Sequence, residues 1–247
     1  MKISIITVCY NSDATIEKTI LSVASQTYKN IEYIIIDGNS KDNTIEIVKK
    51  YETIITKWIS ETDKGLYDAM NKGIAMATGD LIGILNSDDT FCNNTVLENI
   101  VAFHSTNSIE ASVGNIIQHK EDGSIVRLYS SKNWSPTKLS IGFMPPHPSI
   151  FFKRALFDKF GIYDLGFKIG ADYELVTRFF FKNRITWMYS GITTTAMLVG
   201  GVSSSGASSY KLITKEIQKA LSMNGVIFSP FNIKMRFLWK IIGFLRK

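Results

Sequence analysis

The sequence predicts an α/β protein built on a mostly parallel sheet that is flanked by helices. Its 247 residues, 45% of them hydrophobic and 20% charged, are enough for one large domain of this class. Short β-branched runs alternate with segments of helical periodicity through the first 108 residues. Such an order indicates parallel strands joined by right-handed crossover connections.

The predicted elements of the first half follow one another without a linker. The strands are short apolar runs of the kind found in buried parallel sheets, and we place them at residues 2–8, 31–37, 54–60 and 80–85. The predicted helices cover residues 14–26, 43–51, 66–77 and 94–104. The first helix carries Ile16, Ile20 and Val23 on one face. Ser12 or Asp13 is expected to cap it.

The alternation weakens in the second half. A β-hairpin is predicted across a turn at residues 121–123, and a proline-rich loop at 145–148 leads into a short strand. Two helices, at 154–160 and 171–182, and a strand at 185–189 come next. We predict one domain over residues 1–206, with halves 1–108 and 109–206, followed by a helical, amphipathic C-terminal extension over residues 207–247.

Charge and cysteine content narrow the class of protein. The net charge is +6, but eight Lys or Arg residues and a single Glu lie from residue 207 onward, so the body is close to neutral. A nearly neutral body argues against nucleic-acid binding. Cys9 and Cys92 are no disulfide framework, the N-terminal apolar run is too short for a signal peptide, and no run reaches the roughly 18 residues of a membrane span. We therefore expect a cytoplasmic protein.

Polar residues follow several predicted strands at the point where each strand ends. Thr7 and Tyr10 end the first strand, Asp37 the second, and Asp88 with Asp89 the fourth. Ligands of open parallel sheets bind beyond these carboxyl ends. Two adjacent carboxylates repel unless a cation relieves them, and Mg²⁺ or Mn²⁺ bound to a phosphate is a common remedy. The alternative is that the pair begins the helix at 94–104, where the helix dipole favours acids.

A series of short motifs in the first half of the chain resembles the pattern of a known protein family. The motifs are IITVCYN at residues 5–11, DGNSKDNT at 37–44, DKGLYDAMNKG at 63–73, ATGD at 77–80 and NSDD at 86–89. Their order and spacing resemble those of the family 2 glycosyltransferases over about residues 1–205. The resemblance implies a GT-A nucleotide-binding fold, with residues 1–108 binding the nucleotide and 109–206 the acceptor.

The resemblance also implies roles for residues of the first half. The nucleotide-sugar donor would be bound by Thr7, Val8, Tyr10, Asp37, Lys64 and Asp88. Asp88 and Asp89 resemble the Asp-x-Asp signature, which holds Mg²⁺ or Mn²⁺ on the diphosphate. The first position of the signature is Asn86 here, so the motif leaves open which of the two carboxylates touches the metal.

The acceptor side is implied by the second half. GADYEL at residues 170–175 resembles the segment with the family's catalytic base, which corresponds to Asp172. A carboxylate there can take the proton of the attacking hydroxyl. Without the resemblance, the alternative is that Asp172 is an ordinary residue at the start of a helix. His147, Gly201 and Ser203 correspond to positions that contact the acceptor or the diphosphate.

Together these roles predict a metal-dependent, inverting glycosyltransferase. It would move a sugar, from a UDP-sugar in our interpretation, to a glycan acceptor carried on a lipid, in the synthesis of cell-surface polysaccharide. Two other classes stay open from the residues: a sugar nucleotidyltransferase, and a non-catalytic scaffold that keeps the fold. The nucleotidyltransferase is disfavoured because no glycine-rich basic loop follows the first strand.

The end of the chain predicts a membrane contact. Arg236, Lys240, Gly243 and Lys247 recur at helical spacing as one polar stripe, and apolar residues cover most of the remaining surface. About 14 residues are too few to cross a bilayer but suit a basic helix lying on the inner face of the cell membrane. The alternatives are that the apolar face packs on the protein's own core or on a second subunit in a homo-oligomer.

Overall fold

The computed structural model describes residues 1–199 and 207–236, which belong to two compact units. The first unit comprises residues 1–132, 145–163 and 186–199, and the second comprises 133–144, 164–185 and 200–247. All strands of the described residues lie in the first unit, and the second is helical. The predicted boundary at residue 206 stays a prediction.

The elements of the first unit alternate as the sequence predicts. Its strands are β1 (Ile3–Cys9), β2 (Ile31–Asp37), β3 (Lys57–Ser60), β4 (Leu81–Ile84), β5 (Thr90–Phe91), β6 (Ala111–His119), β7 (Ile125–Tyr129), β8 (Ile150–Lys153) and β9 (Trp187–Leu198). Its helices are α1 (Ile16–Ala24), α2 (Thr44–Lys50), α3 (Leu66–Met76), α4 (Val96–Thr106) and α5 (Ala155–Phe160).

The strands form one sheet in the order β3-β2-β1-β4-β8-β6-β9-β5, with β7 paired to β6. The first four strands in this order are parallel to one another, so Cys9 at the end of β1 lies opposite Asp37 at the end of β2. β8 then adds antiparallel to β4 and to β6, and β9 returns parallel to β6. The predicted α/β fold class is confirmed, and the four parallel strands bring their carboxyl ends to one edge.

The core explains why these segments are strands. Every residue of β1 is buried, as are six of the seven residues of β2, because helices cover the central strands. α1 buries the face that carries Ile16, Ile20 and Val23, as its spacing predicts. Gly73 lets α3 lie close to β1, since a Cβ atom at that position would be 2.4 Å from Cγ2 of Ile6.

Two local predictions were wrong, and one of the alternatives left open is contradicted. The N-cap of α1 is Thr15, not Ser12 or Asp13, and no side chain caps the helix. Asp88 and Asp89 do not begin a helix, because Thr90–Phe91 pairs with β9 and α4 starts only at Val96. The strand predicted at 185–189 is longer, because pairing with β6 and then β5 extends β9 to Leu198.

The second unit contains the residues around Asp172. Its helices are α6 (Ala171–Val176), a π-helical turn (Thr177–Lys182) and α7 (Ala207–Met223). α7 buries Ile217, Ala220 and Leu221. Residues 230–236 are also helical.

One part of the tail prediction needs correction. Arg236 was predicted to lie on the polar stripe of a helix at a membrane surface, yet it is only 4% exposed. Its guanidinium lies over the Tyr210 ring at 5.3 Å, and its Cδ would be 3.1 Å from a Cβ at Gly142. The rest of that stripe, residues 240–247, lies outside the described residues. Within residues 1–199 and 207–236, no helix has the length and apolarity needed to cross a membrane.

Candidate functional site

The predicted donor residues of the first unit lie at the carboxyl-terminal edge of the parallel strands. Tyr10 follows β1, Asp37 ends β2, and the turn Asn86–Asp89 follows β4. Hydrogen bonds join the loops after these strands, as described below. The structure thus brings together chain segments that are up to about 80 residues apart in the sequence.

Asp37 anchors the loop after β2. Its carboxylate is fully buried and accepts hydrogen bonds from the backbone N–H of Ser40 at 3.0 Å and from the hydroxyls of Ser40 and Ser60, the latter at 2.6 Å. The thiol of Cys9 donates to the same carboxylate at 3.6 Å. Asp37 therefore fixes the shape of the edge with several protein donors.

Two asparagines shape the loops on either side of Asp37. Asn11 and Asn39 adopt positive φ angles of 48° and 67°, a conformation that asparagine tolerates better than most residues. The N–H of Asn11 donates to Oγ of Ser40 at 2.8 Å, and Oδ1 of Asn11 accepts from the N–H of Lys41 at 2.8 Å. Tyr10, next to Asn11, is left 61% exposed. An exposed aromatic ring beside an ordered loop is suited to stack on a nucleobase.

A third acidic residue, Asp63, approaches the same edge. A Cβ atom at Gly38 would lie 2.6 Å from Oδ2 of Asp63, so only glycine allows this approach. Oδ1 of Asp63 accepts from the N–H of Gly65 at 2.8 Å, which orders the turn before α3. Lys64, in that turn, is exposed, and its backbone N–H donates to Asp68 at 3.0 Å.

The turn at residues 86–89 is held from α1 and from the loop after β1. The hydroxyl of Thr19 donates to the carbonyl oxygens of Ser87 at 3.0 Å and Asp89 at 2.8 Å. The hydroxyls of Ser12 and Ser87 lie 2.9 Å apart. Ser12 therefore connects two loops of the ligand edge instead of capping α1.

The carboxylates of this turn are poorly compensated. Asp89 is fully buried; its Oδ2 accepts from Nδ2 of Asn86 at 3.0 Å, but its Oδ1 has no hydrogen-bond partner among the described residues. Burial, followed by the charge of Asp88, raises the pKa of Asp89 to about 8, against smaller lowering effects of the Asn86 amide and the backbone N–H of Leu198. Burial also raises the pKa of Asp88. Both carboxyl groups thus disfavour ionisation unless a positive charge arrives.

The donor set of the turn fits a hard divalent cation. A second buried oxygen without a partner in the described part of the chain is Oδ1 of Asn86, so amide and carboxylate oxygens occur together. Mg²⁺ and Mn²⁺ bind such oxygens. No group of three His, Cys, Asp or Glu side chains in residues 1–199 and 207–236 could hold a metal ion alone. One or two carboxylates plus substrate phosphates is a usual arrangement for Mg²⁺.

Two of the predicted donor residues are covered by protein. Thr7 is fully buried, and its hydroxyl lies 3.2 Å from the Tyr33 hydroxyl, which donates to it. Val8 is 3% exposed. A ligand would reach these residues through their backbone atoms or after a local rearrangement, and their predicted contacts stay predictions.

His147 belongs to a cluster of rings in the first unit. Its Nε2 lies 2.7 Å from the Tyr163 hydroxyl, and Tyr67 from α3 stacks on Tyr163 at 5.6 Å. The side chain of Asn71 bonds both the N–H and the carbonyl of Tyr163 at 2.9 Å. Burial lowers the pKa of His147 to about 4, so the imidazole is neutral at pH 7. The structure gives His147 a packing role, and its predicted contact with substrate remains untested.

Asp172 lies in the second unit, as the second residue of α6. The backbone N–H of Tyr173 donates to its Oδ1 at 2.7 Å. Glu174, two residues further on, is buried, and its carboxylate pairs with the guanidinium of Arg178 at 2.9 Å. Gly201 and Ser203 lie outside the described residues.

The roles of several residues at this edge could not be predicted from the sequence around each of them. Asp63 lies in one of the motifs quoted above, but its approach to Gly38 depends on how β2 and the loop after β3 meet. Ser12, Thr19 and Ser87 are common residues whose hydrogen bonds cross about 70 positions of sequence. The motif around Asp63 could have suggested a role, whereas the hydroxyls could not.

The sequence is similar to a family model and to several glycosyltransferases. The sequence model described as glycosyl transferase family 2 matches residues 4–164. The chain is 35% identical to an uncharacterized glycosyltransferase of Mycobacterium tuberculosis over 71% of this chain and 68% of the relative. It is 33% identical to WfaP of Escherichia coli, a UDP-Glc:α-D-GlcNAc-diphosphoundecaprenol β-1,3-glucosyltransferase, over 67% of this chain and 64% of the relative.

The comparison of structures gives the same fold. Staphylococcus aureus TarS in complex with UDP-GlcNAc matches with a TM-score of 0.71 and 20% identity, over 96% of this chain and 72% of TarS. The mannosyltransferase PcManGT of Pyrobaculum calidifontis, in complex with GDP-Man and Mn²⁺, matches with a TM-score of 0.69 and 19% identity, over 95% of this chain and 68% of that protein. At these identities the likeness concerns the fold.

Proposed function

The chain belongs to glycosyl transferase family 2, and from this premise we propose that it is a metal-dependent, inverting enzyme that moves a sugar from a nucleoside diphosphate to an acceptor hydroxyl. The observation that carries the proposal is the turn Asn86–Asp89. There, two buried oxygens lack partners among the described residues, and burial raises the pKa of both carboxyl groups. A protein keeps such a turn at a ligand edge when a cation and a diphosphate complete it.

The donor in this proposal is a UDP-sugar. Tyr10 stacks on the base, Asp37 orders the loops around base and ribose, and Thr7, Val8 and Lys64 line the nucleotide. UDP is supported by the donor in the name of the E. coli relative and by the ligand of TarS. PcManGT binds GDP-Man, so a test of donors has to include guanosine nucleotides.

The metal in this proposal is Mg²⁺ or Mn²⁺, and Mn²⁺ in PcManGT supports it. We assign direct ligation to Asp88, which is partly exposed, and a supporting role to Asp89, which is fully buried and bonded to Asn86. When bound, the ion neutralises charge that grows on the leaving diphosphate. Asp88 also meets the ribose, as the resemblance implies.

The base in this proposal is Asp172. The acceptor oxygen forms a bond to the anomeric carbon while the bond from that carbon to the diphosphate oxygen breaks, and Asp172 takes the proton of the acceptor hydroxyl. One displacement of this kind inverts the anomeric configuration. His147, Gly201 and Ser203 are the candidates for contacts with the acceptor or the diphosphate.

The acceptor in this proposal is a glycan carried on a lipid, in the synthesis of cell-surface polysaccharide. The diphosphoundecaprenol acceptor named for the E. coli relative supports it. The enzyme would then work in the cytoplasm at the inner face of the membrane. Exposed apolar side chains around the end of α7 support a membrane contact: Ile227 is 94% exposed and Phe231 67% exposed, while residues 217–247 include six Lys or Arg and no acidic residue.

Donor turnover tests the enzyme class. The purified chain with Mn²⁺ or Mg²⁺ is incubated with UDP-glucose, UDP-GlcNAc or GDP-mannose, and the released nucleoside diphosphate is measured. We expect metal-dependent release from at least one donor, and loss of transfer but not of donor binding in Asp172→Asn. Pyrophosphate release from a nucleoside triphosphate and a sugar phosphate would instead indicate a nucleotidyltransferase, and no turnover with any donor would indicate a scaffold.

Vesicle sedimentation tests the membrane contact. The full chain is expected to sediment with vesicles that contain anionic phospholipid and not with vesicles of phosphatidylcholine alone. Removing residues 237–247, or replacing Ile227 and Phe231 with serine, should release it. Absence of sedimentation with the anionic vesicles would contradict the proposed site of action without touching the proposed chemistry.

A further inference from the structure

The turn that leads into α6 is held by one side chain of α7. Glu216 accepts three hydrogen bonds from consecutive backbone N–H groups: Lys168 at 2.8 Å, Ile169 at 2.9 Å and Gly170 at 2.8 Å. The carboxylate is 7% exposed. Charge-assisted hydrogen bonds of this number and length fix the backbone of the turn more firmly than neutral ones do.

The contact leaves little room for a side chain at position 170. A Cβ atom there would lie 3.2 Å from both Cβ and Oε2 of Glu216, which is closer than ordinary packing allows. The φ angle of Gly170 is −110°, so the restriction comes from the approach of Glu216 and not from the backbone conformation. Alanine at position 170 would therefore require Glu216 or the turn to shift by a few tenths of an ångström.

Asp172 follows the clamped turn after two residues. Gly170 is the N-cap of α6, and the Tyr173 N–H orients Oδ1 of Asp172. The direction in which the Asp172 side chain leaves the backbone is thus set by the turn that Glu216 holds.

Two more side chains at the C-terminal end of the second unit hold the same region. Lys219, one turn after Glu216, donates to the carbonyl of Gly166 at 3.0 Å, and its ammonium lies 4.2 Å from the centre of the Phe167 ring. Asn224 donates to Oε1 of Glu174 at 3.2 Å. The segments before and after Asp172 are therefore both tied to this part of the chain.

We propose that Glu216 is a positioning residue for glycosyl transfer, which acts by holding the backbone of Lys168–Gly170 and thereby the carboxylate of Asp172. The inference rests on the proposed function, in which Asp172 is the base. Apolar burial at Ile217, Ala220 and Leu221 already docks α7. A buried carboxylate on three N–H groups adds a fixed geometry, and a small displacement of a catalytic group can cost about 100-fold in rate.

The variant Glu216→Gln tests this role, because its amide keeps the length but presents N–H groups to one side of the turn. We expect kcat for donor turnover with Mn²⁺ to fall about 10- to 100-fold, while KM for the donor changes less than about 2-fold. The control is Val226→Ala, which removes buried apolar atoms next to α7 and leaves the clamp intact. Its kcat should be that of the wild type at a temperature where both proteins are folded.

Gly170→Ala serves as the second variant, should Glu216→Gln fail to fold. This variant crowds the contact by a methyl group on the turn and keeps the carboxylate of Glu216. We therefore expect a smaller loss of kcat than in Glu216→Gln and an unchanged KM for the donor. A loss of rate in either variant that matches only the fraction of unfolded protein would overturn the proposal.

A double-mutant cycle with Asp172→Asn gives the sharpest readout. If Glu216 acts through Asp172, adding Glu216→Gln to Asp172→Asn should lower the residual rate less than about 2-fold. An equal loss in both backgrounds would show that Glu216 acts elsewhere. Wild-type transfer in Asp172→Asn alone would sink the assignment of the base, whereas a normal Asp172→Asn result with full activity in Glu216→Gln would sink the positioning role only.

Discussion

The two edges of the parallel sheet treat a buried carboxylate in opposite ways. At the amino-terminal edge, Glu32 accepts from the Ser4 hydroxyl at 2.6 Å and from the N–H and hydroxyl of Thr78 at 2.6 and 2.8 Å. The ammonium groups of Lys2 and Lys57 lie 3.2 and 3.0 Å from it. At the other edge, Asp89 is buried as deeply and has the Asn86 amide as its partner.

The difference separates stability from function. Burial alone would raise the pKa of Glu32, but the hydrogen bonds from Ser4, Thr78 and Lys57 more than offset it and hold the pKa well below the usual range. Burial and Asp88 raise the pKa of Asp89 to about 8. The protein itself supplies hydrogen-bond donors and positive charge to Glu32. It supplies few to Asp89, which lies at the edge where ligands of parallel sheets bind.

The largest expected effect comes from Asp88→Asn. Because this variant removes a negative charge that we assign to the metal, metal-dependent donor turnover should fall about 1,000-fold or more. The midpoint of thermal unfolding without metal should stay the same or rise. Donor turnover with Mn²⁺ and a thermal melt of the same preparation measure both. A fall in stability with preserved turnover would reverse the distinction between the edges.

Glu32→Gln should do the opposite. The amide loses the charge that two lysines and three other donors compensate, so we expect a loss of about 3 kcal/mol in the free energy of unfolding. Turnover per folded molecule should match that of the wild type. Denaturant unfolding and a donor assay well below the melting temperature check the two statements. Glu121→Gln, the same substitution at an exposed position of the turn between β6 and β7, is the control.

The same pair of proteins predicts a pH dependence. The folded-state pKa of Glu32 is lowered, so its contribution to stability is present above the unfolded-state pKa of about 4.3 and is lost as pH falls below that value. The stability advantage of the wild type over Glu32→Gln should therefore shrink to about half between pH 7 and pH 3. A constant difference over this range would show that the ionised form of Glu32 is not what stabilises the fold.

The smallest expected effect is a gain in stability in the variant Asp89→Asn. In Asp89→Asn the new amide N–H₂ can donate to Oδ1 of Asn86, one of the buried oxygens without a partner in residues 1–199 and 207–236. We expect the metal-free protein to gain about 1 kcal/mol in the free energy of unfolding while it loses metal-dependent donor binding. Calorimetry and titration with UDP and Mn²⁺ measure the two changes. Destabilisation would indicate that the structure already compensates Asp89.

The strands and helices of the first half were predictable because their signals are local. β2 occupies residues 31–37 as predicted, and α3 ends within one residue of the prediction. β5 was not predictable. It has two residues, and it is a strand because it pairs with Thr195 and Ala196, about 100 positions away.

The candidate site likewise has features that depend on neighbouring residues and were predictable, and features that depend on distant residues and were not. Repulsion between Asp88 and Asp89 is a property of neighbours, so the sequence predicts a demand for positive charge at that turn. The approach of Asp63 to Gly38 and the hold of Glu216 on Gly170 join distant segments. The burial of Arg236 was not predicted for the same reason. It depends on contacts with Tyr210 and with the backbone near Gly142, and both are distant from Arg236 in the sequence.

The burial of Arg236 also sets a length scale for the end of the chain. Because residue 236 is fixed within the second unit, the next eleven residues, 237–247, start from a defined point. Even fully extended, eleven residues span at most about 40 Å. Any lipid surface that these residues touch must therefore lie within that radius of Arg236.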